Sequence, residues 1–127
     1  MNFDTKTKSL TKAELHLMNI LWDKEEATVH DLIREIPEPK PAYTTVLTVM
    51  HVLTKKGIVT SRREGKKNVF TPLMSRDQYI NGFMEETRNT LFKGSLKNFL
   101  LFFARHEQID REELEEIMME MSKSNTK

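Results

Sequence analysis

The chain has 127 residues, no cysteine and a formal net charge of +1, from 20 Lys/Arg against 19 Asp/Glu. That length makes one domain or two small ones, and the composition excludes disulfides, thiolate metal sites and a uniformly basic nucleic-acid coat. No apolar run approaches the ~20 residues of a membrane helix, and Met1-Asn2-Phe3-Asp4-Thr5-Lys6 lacks the apolar core of a signal peptide. A cytoplasmic protein that does not bind lipid membranes is therefore expected.

In chain order, Thr11-Lys12-Ala13-Glu14 is a capping box, a hydroxyl three residues before a carboxylate. Leu15, Met18, Leu21 and Trp22 follow at helical spacing and predict a first helix over about 11–22, with Trp22 packing it on a later hairpin. Thr28-Val29-His30-Asp31 opens a short second helix with Val29, Leu32, Ile33 and Ile36 inward, and Pro37, Pro39 and Pro41 forbid its continuation. A third helix is predicted over about 42–56. Val46, Val49, Met50 and Leu53 form its inner stripe, while Thr44, Thr45, Thr48, His51 and Lys55 occupy the outer face. Gly57 sits where a helix favours a left-handed terminal residue. Ile58 to Arg63 and Asn68 to Thr71 are β-prone around the turn Glu64-Gly65-Lys66-Lys67.

Charge is concentrated at this hairpin. Between residues 55 and 67 six cations face Glu64 alone, a net of +5. Residues 1–74 carry +3 and residues 75–127 carry −2, so the positive field is local. A short polar helix face beside a cationic hairpin suits a groove-reading helix flanked by a wing that grips phosphates. The expected DNA-binding residues are Tyr43, Thr44, Thr45, Thr48, His51, Lys55, Arg62, Arg63, Lys66 and Lys67. Threonine methyls can meet thymine methyls, and with neither Arg nor Asn on the helix face, specificity rests partly on DNA shape.

After Pro72 the composition changes, which divides the chain into a winged-helix domain over 1–74 and a helical dimerisation domain over 75–127. Ser75-Arg76-Asp77-Gln78 caps a fourth helix, with Tyr79, Ile80, Phe83, Met84, Thr87 and Leu91 inward. Lys93-Gly94-Ser95 ends it and opens a fifth, Leu96 to Ala104, that is apolar nearly all round. Asp110-Arg111-Glu112-Glu113 caps a sixth, and the chain should fray from Ser122. Three helices cannot enclose an all-round apolar one in ~50 residues. Leaving Phe99, Leu100, Leu101, Phe102 and Phe103 in water would forfeit roughly ten kcal/mol. A second copy is the expected cover, through Phe83, Leu91, Leu96, Phe99, Leu100, Phe102, Phe103, Leu114, Ile117, Met118 and Met121. The fold class is mainly α with a small β-hairpin: an amino-terminal winged helix-turn-helix, then a three-helix dimerisation region.

Taken together, these residues resemble the penicillinase-repressor and methicillin-resistance-repressor family, which includes copper-responsive repressors. The resemblance covers about residues 9–122. It rests on Leu10-Thr11-Lys12-Ala13-Glu14 with Met18-Asn19-Ile20-Leu21-Trp22, and on Thr44-Thr45-Val46-Leu47-Thr48 with Leu53-Thr54-Lys55-Lys56-Gly57. It implies a homodimeric repressor on a palindromic double-stranded DNA operator, inactivated by cleavage in the fifth helix through a membrane sensor metalloprotease that detects a β-lactam. Two departures stand out. The family's Asn-Phe cleavage pair falls at Phe102-Phe103, with Asn98-Phe99 four residues out of register. Thr44 and Leu47 occupy recognition-helix positions where relatives carry Lys and Arg. The absence of cysteine removes the copper-sensing variant.

A competing reading is a winged-helix protein-interaction adaptor that does not bind DNA, suggested by the modest net charge and by Leu47 on the exposed helix edge. Catalysis is not expected. There is no Gly-rich phosphate loop or nucleophile elbow, and Glu112, Glu113, Glu115 and Glu116 read as a solvated helix face. His16, His30, His51 and His106 lack metal-ligand spacing, the eight methionines read as adaptable packing, and no metal or cofactor is expected.

Overall fold

The computed structural model describes residues 9–106 and 109–125. The Met1–Lys6 stretch and the last two residues of the expected frayed end lie outside that range. In order, the elements are α1 (Lys12–Lys24), α2 (Val29–Arg34), α3 (Tyr43–Lys55), β1 (Val59–Glu64), β2 (Lys67–Pro72), α4 (Arg76–Leu91), α5 (Leu96–His106) and α6 (Arg111–Asn125). Helix–helix–helix–hairpin is the order of a winged helix-turn-helix. The chain forms two compact units, residues 1–84 and 85–127.

In the first unit the starts of α1 and α2 are fixed locally. Thr11 and Glu14 close a reciprocal capping box at α1, and Thr28 and Asp31 close another at α2. Each box satisfies two backbone donors that helix geometry would otherwise leave without partners. At the other end of α2, the Lys40 ammonium donates to the carbonyls of Ile33, Arg34 and Ile36 at 3.0, 3.4 and 2.6 Å. A cation there offsets the negative end of the helix dipole. Gly57 takes φ +80 after α3, where a Cβ would be strained, and lets the chain turn directly into β1.

The core of this unit is assembled from the inner stripes of α1–α3 and the base of the hairpin. Leu17, Met18, Leu21, Ala27, Val29, Leu32, Val46, Met50, Leu53, Ile58, Val59 and Phe70 form one buried cluster. The hairpin runs antiparallel with Arg62 opposite Val69 and Glu64 opposite Lys67. Ala27 adds a reciprocal bridge to Phe70 (3.0 and 2.8 Å), so the loop between α1 and α2 is hydrogen-bonded to β2. A two-stranded hairpin is marginal in water by itself, and this extra pairing holds its base on the core.

Several expectations are corrected. Leu47 is half-buried and packs on the core rather than lying on an exposed edge. Trp22 does not pack on the hairpin strands alone. Its indole N–H donates to the Met74 carbonyl at 2.8 Å, its ring lies 6.0 Å from Tyr79, and the Arg76 guanidinium stands 5.4 Å above it. The anchor is therefore the exit from β2 and the first turn of α4. On α4 only Tyr79 is buried, while Ile80, Phe83, Met84 and Leu91 are exposed in the single chain. The helical ends are one or two residues off expectation at α1 and α3, and α6 persists to Asn125 instead of fraying from Ser122.

In the second unit, Ser95 and Asp110 cap α5 and α6 through the N–H groups of Asn98 and Glu113. Phe92 stacks edge-on against Phe99 (5.3 Å) and lies 5.7 Å from Phe102. No residue of α5 is buried. Among the described residues, no helix is long and apolar enough to cross a membrane.

Candidate nucleic-acid interface

Helix α3 buries Val46, Met50 and Leu53, so its opposite side must face solvent. Thr44, Thr48, His51 and Lys55, separated by four, three and four residues, line one exposed stripe, with Thr45 beside them. The Thr48 hydroxyl donates to the Thr44 carbonyl at 2.8 Å. That bond commits the hydroxyl proton to the helix, leaving the methyl and an oxygen lone pair to face outward. Tyr43 begins the helix 44% exposed, its ring 4.8 Å from that of His30. This contact joins the first turn of α2 to the first turn of α3 and was not legible from spacing, because the two residues lie on different helices.

The two lysines that close α3 have different fates. Lys55 is exposed. Lys56 turns back across the core edge and pairs with both oxygens of Glu14 at 2.9 and 3.1 Å. Glu14 is 6% exposed, and burial works to raise its pKa. The Thr11 backbone N–H and the Lys56 ammonium outweigh that effect, so the carboxyl lies below its ordinary value. The capping carboxylate of α1 thus also ties α1 to the end of α3.

Adjacent residues of a strand point to opposite faces, so Arg62 and Arg63 diverge. Arg62 lies opposite Val69 on the face that includes Glu64 and Lys67. Its guanidinium is bound on two sides, to Glu26 at 3.0 Å and to Glu64 at 2.7 and 2.8 Å. Arg62 in turn holds the Glu26 carboxyl below its ordinary pKa. Arg63 donates from Nε to the Gly65 carbonyl at 3.4 Å, a neutral partner. Lys66 at the tip and Lys67 at the start of β2 are exposed. Gly65 adopts φ +64, the left-handed conformation that a two-residue hairpin turn requires.

The structure therefore brings the outer stripe of α3 and the hairpin cations onto one unit. Sequence spacing missed Glu26, His30 and Phe92. Among the described residues no group of His, Asp or Glu is arranged to hold a metal ion.

A family model described as Penicillinase repressor matches residues 10–123. The chain is 26% identical over 113 residues to the penicillinase repressor of Bacillus licheniformis, covering 88% of each chain. It is 28% identical over 115 residues to the methicillin resistance regulatory protein MecI of Staphylococcus aureus strain N315, covering 90% of this chain and 94% of that one. Among solved structures it resembles the solution structure of the DNA binding domain of the repressor BlaI, with TM-score 0.51 and 26% identity over 57% of this chain and 90% of that one. The names of these relatives describe repressors and regulators, not enzymes.

Proposed function

The chain belongs to the penicillinase repressor family, and on that premise we propose that it is a homodimeric DNA-binding transcriptional repressor reading a palindromic operator through α3 and the β1–β2 wing. The observation that carries this reading is the exposed stripe Thr44, Thr48, His51 and Lys55 on a helix whose other side is locked into the core. Such a helix can enter a major groove without unfolding anything. Thr44, Thr45 and Thr48 meet base edges and thymine methyls, Tyr43 and His51 flank them, and Lys55, Arg63, Lys66 and Lys67 neutralise phosphates.

Homodimerisation is supported by the exposed apolar side chains of the second unit. Leu91, Leu96, Leu100, Phe102 and Phe103 are 70, 52, 53, 51 and 54% exposed, and Leu114, Ile117, Met118 and Met121 of α6 are also exposed. A surface of this kind marks an interface, and a second copy of the same helices is its natural complement. Two-fold related heads would then meet half-sites one or more helical turns apart. Cleavage between Phe102 and Phe103 by a membrane sensor metalloprotease would separate the heads, which would then bind as weaker monomers. Its support is the family to which the chain belongs, with the pair standing on α5, a helix of the proposed dimer interface. The adaptor reading keeps the modest net charge but loses Leu47, which is half-buried against the core.

The test is retention of a palindromic duplex over a salt series. Log affinity should fall by about 0.9 per phosphate neutralised, so some four contacts per head give a steep line. A flat line would defeat the reading, and an induced cell whose repressor stays full-length would defeat the cleavage step.

A further inference from the structure

We propose that Arg62 is a positioning residue of the wing, held by Glu26 and Glu64, and that phosphate contact falls to Arg63, Lys66 and Lys67, the wing cations that no carboxylate pairs with among the described residues. This deepens the operator reading and rests on it.

Four wing cations look equivalent in sequence, but the hairpin sorts them. Arg62 shares its face with Glu64, Lys67 and Val69, whereas Arg63 lies on the other face opposite Asn68. Glu26 and Glu64 balance the charges of Arg62 and Lys67 on that face, so the corner carries no net positive charge. A phosphate approaching the guanidinium meets the charges of Glu26 and Glu64 beside it. Asp31 stands near the same corner, lining with Glu26, Glu64 and Lys67 a shallow cavity of about 280 Å3. Among the described residues no carboxylate pairs with Arg63, Lys66 or Lys67.

The partner that matters is Glu26, 36 residues away in sequence. It adjoins Ala27, whose N–H and carbonyl exchange hydrogen bonds with Phe70 at 3.0 and 2.8 Å. Strand β2 therefore lies between the Ala27 segment and β1, and the Arg62–Glu26 bond spans it. The span ties the outer strand of the wing to the loop that begins α2. A wing fixed in this way reaches the duplex already oriented, so less conformational freedom is lost on binding.

The experiment measures affinity for a palindromic duplex across a salt series, using the full chain and its Glu26→Gln, Arg62→Ala, Glu26→Gln/Arg62→Ala and Arg63→Ala variants. Glu26→Gln and Arg62→Ala should each weaken binding about two- to five-fold, the size of an exposed ion pair, with the salt slope unchanged. The double variant should be no weaker than Arg62→Ala alone, because Arg62→Ala already removes the Glu26 contact. Arg63→Ala should reduce the slope by about 0.9 per head. Removing a negative charge that merely repelled DNA would tighten binding, so tighter binding by Glu26→Gln overturns the proposal. A slope reduced by Arg62→Ala as much as by Arg63→Ala also overturns it, while leaving the operator reading intact. An unmodified chain that retains no duplex in dilute salt defeats both.

Discussion

The two compact units treat their apolar residues in opposite ways. Among the described residues, every buried side chain lies between Glu14 and Tyr79, in the unit that carries the wing. The second unit spends its largest side chains on the surface, with Phe102 and Phe103 more than half exposed on a helix that buries nothing. The first unit is complete as a single chain. The second sets large apolar side chains among many charges and leaves Leu100, Phe102, Phe103, Ile117 and Met118 exposed. On the proposed dimer, folding information in this chain is split between contacts it makes with itself and contacts made with another copy.

The sharpest way to break that comparison is to charge the second unit. Phe103→Glu with Leu100→Glu should convert the protein to a monomer and weaken operator binding by roughly 10²–10⁴-fold through lost avidity. Sedimentation and duplex titration would measure this, and melting of the first unit should be unaffected. Phe70→Ala asks the reverse question. Deleting a ring that is 1% exposed should cost about 3–5 kcal/mol in chemical denaturation of the first unit. Loss of the same magnitude from Phe103→Ala, measured on a monomer, would erase the distinction between the units.

Smaller effects sharpen the picture within the first unit. Reversing Arg63, Lys66 and Lys67 to Glu should lower affinity about 10–100-fold and flatten the salt slope, with melting unchanged. Glu14→Ala should cost about 1–2 kcal/mol, because it removes half of a capping box and a charge-assisted partner of Lys56 together. This effect depends on pH. The Glu14 carboxyl has a lower pKa folded than unfolded, so the unfolded chain takes up the proton more readily. Its contribution is full above the ordinary glutamate value of about 4.3 and is lost as pH falls through the lower folded value. Acid melting of the unmodified chain should therefore be steeper below about pH 4 than that of Glu14→Ala.

Much of the first unit was legible because its signals are local. Capping boxes at Thr11 and Thr28, the inner stripe from Val46 to Leu53 and the left-handed Gly57 each lie within one turn or one helix. The divergence of Arg62 and Arg63 was legible too, since strand parity separates adjacent residues, although the cationic run suggests four equal contacts. The contacts that escaped are those between distant segments. Arg62 finds Glu26, Lys56 finds Glu14, and His30 finds Tyr43 only after the helices have packed. Apolar periodicity marked Ile80, Phe83 and Leu91 as inward, but it cannot say whether the covering surface belongs to the same chain.

The most direct test of the account is the stoichiometry of the full chain on a duplex carrying both half-sites, followed by sedimentation in moderate salt. The account requires a free protein of two chains and a complex of two chains per duplex, with no stable complex containing one. A chain that sediments as a monomer and occupies each half-site independently would contradict it.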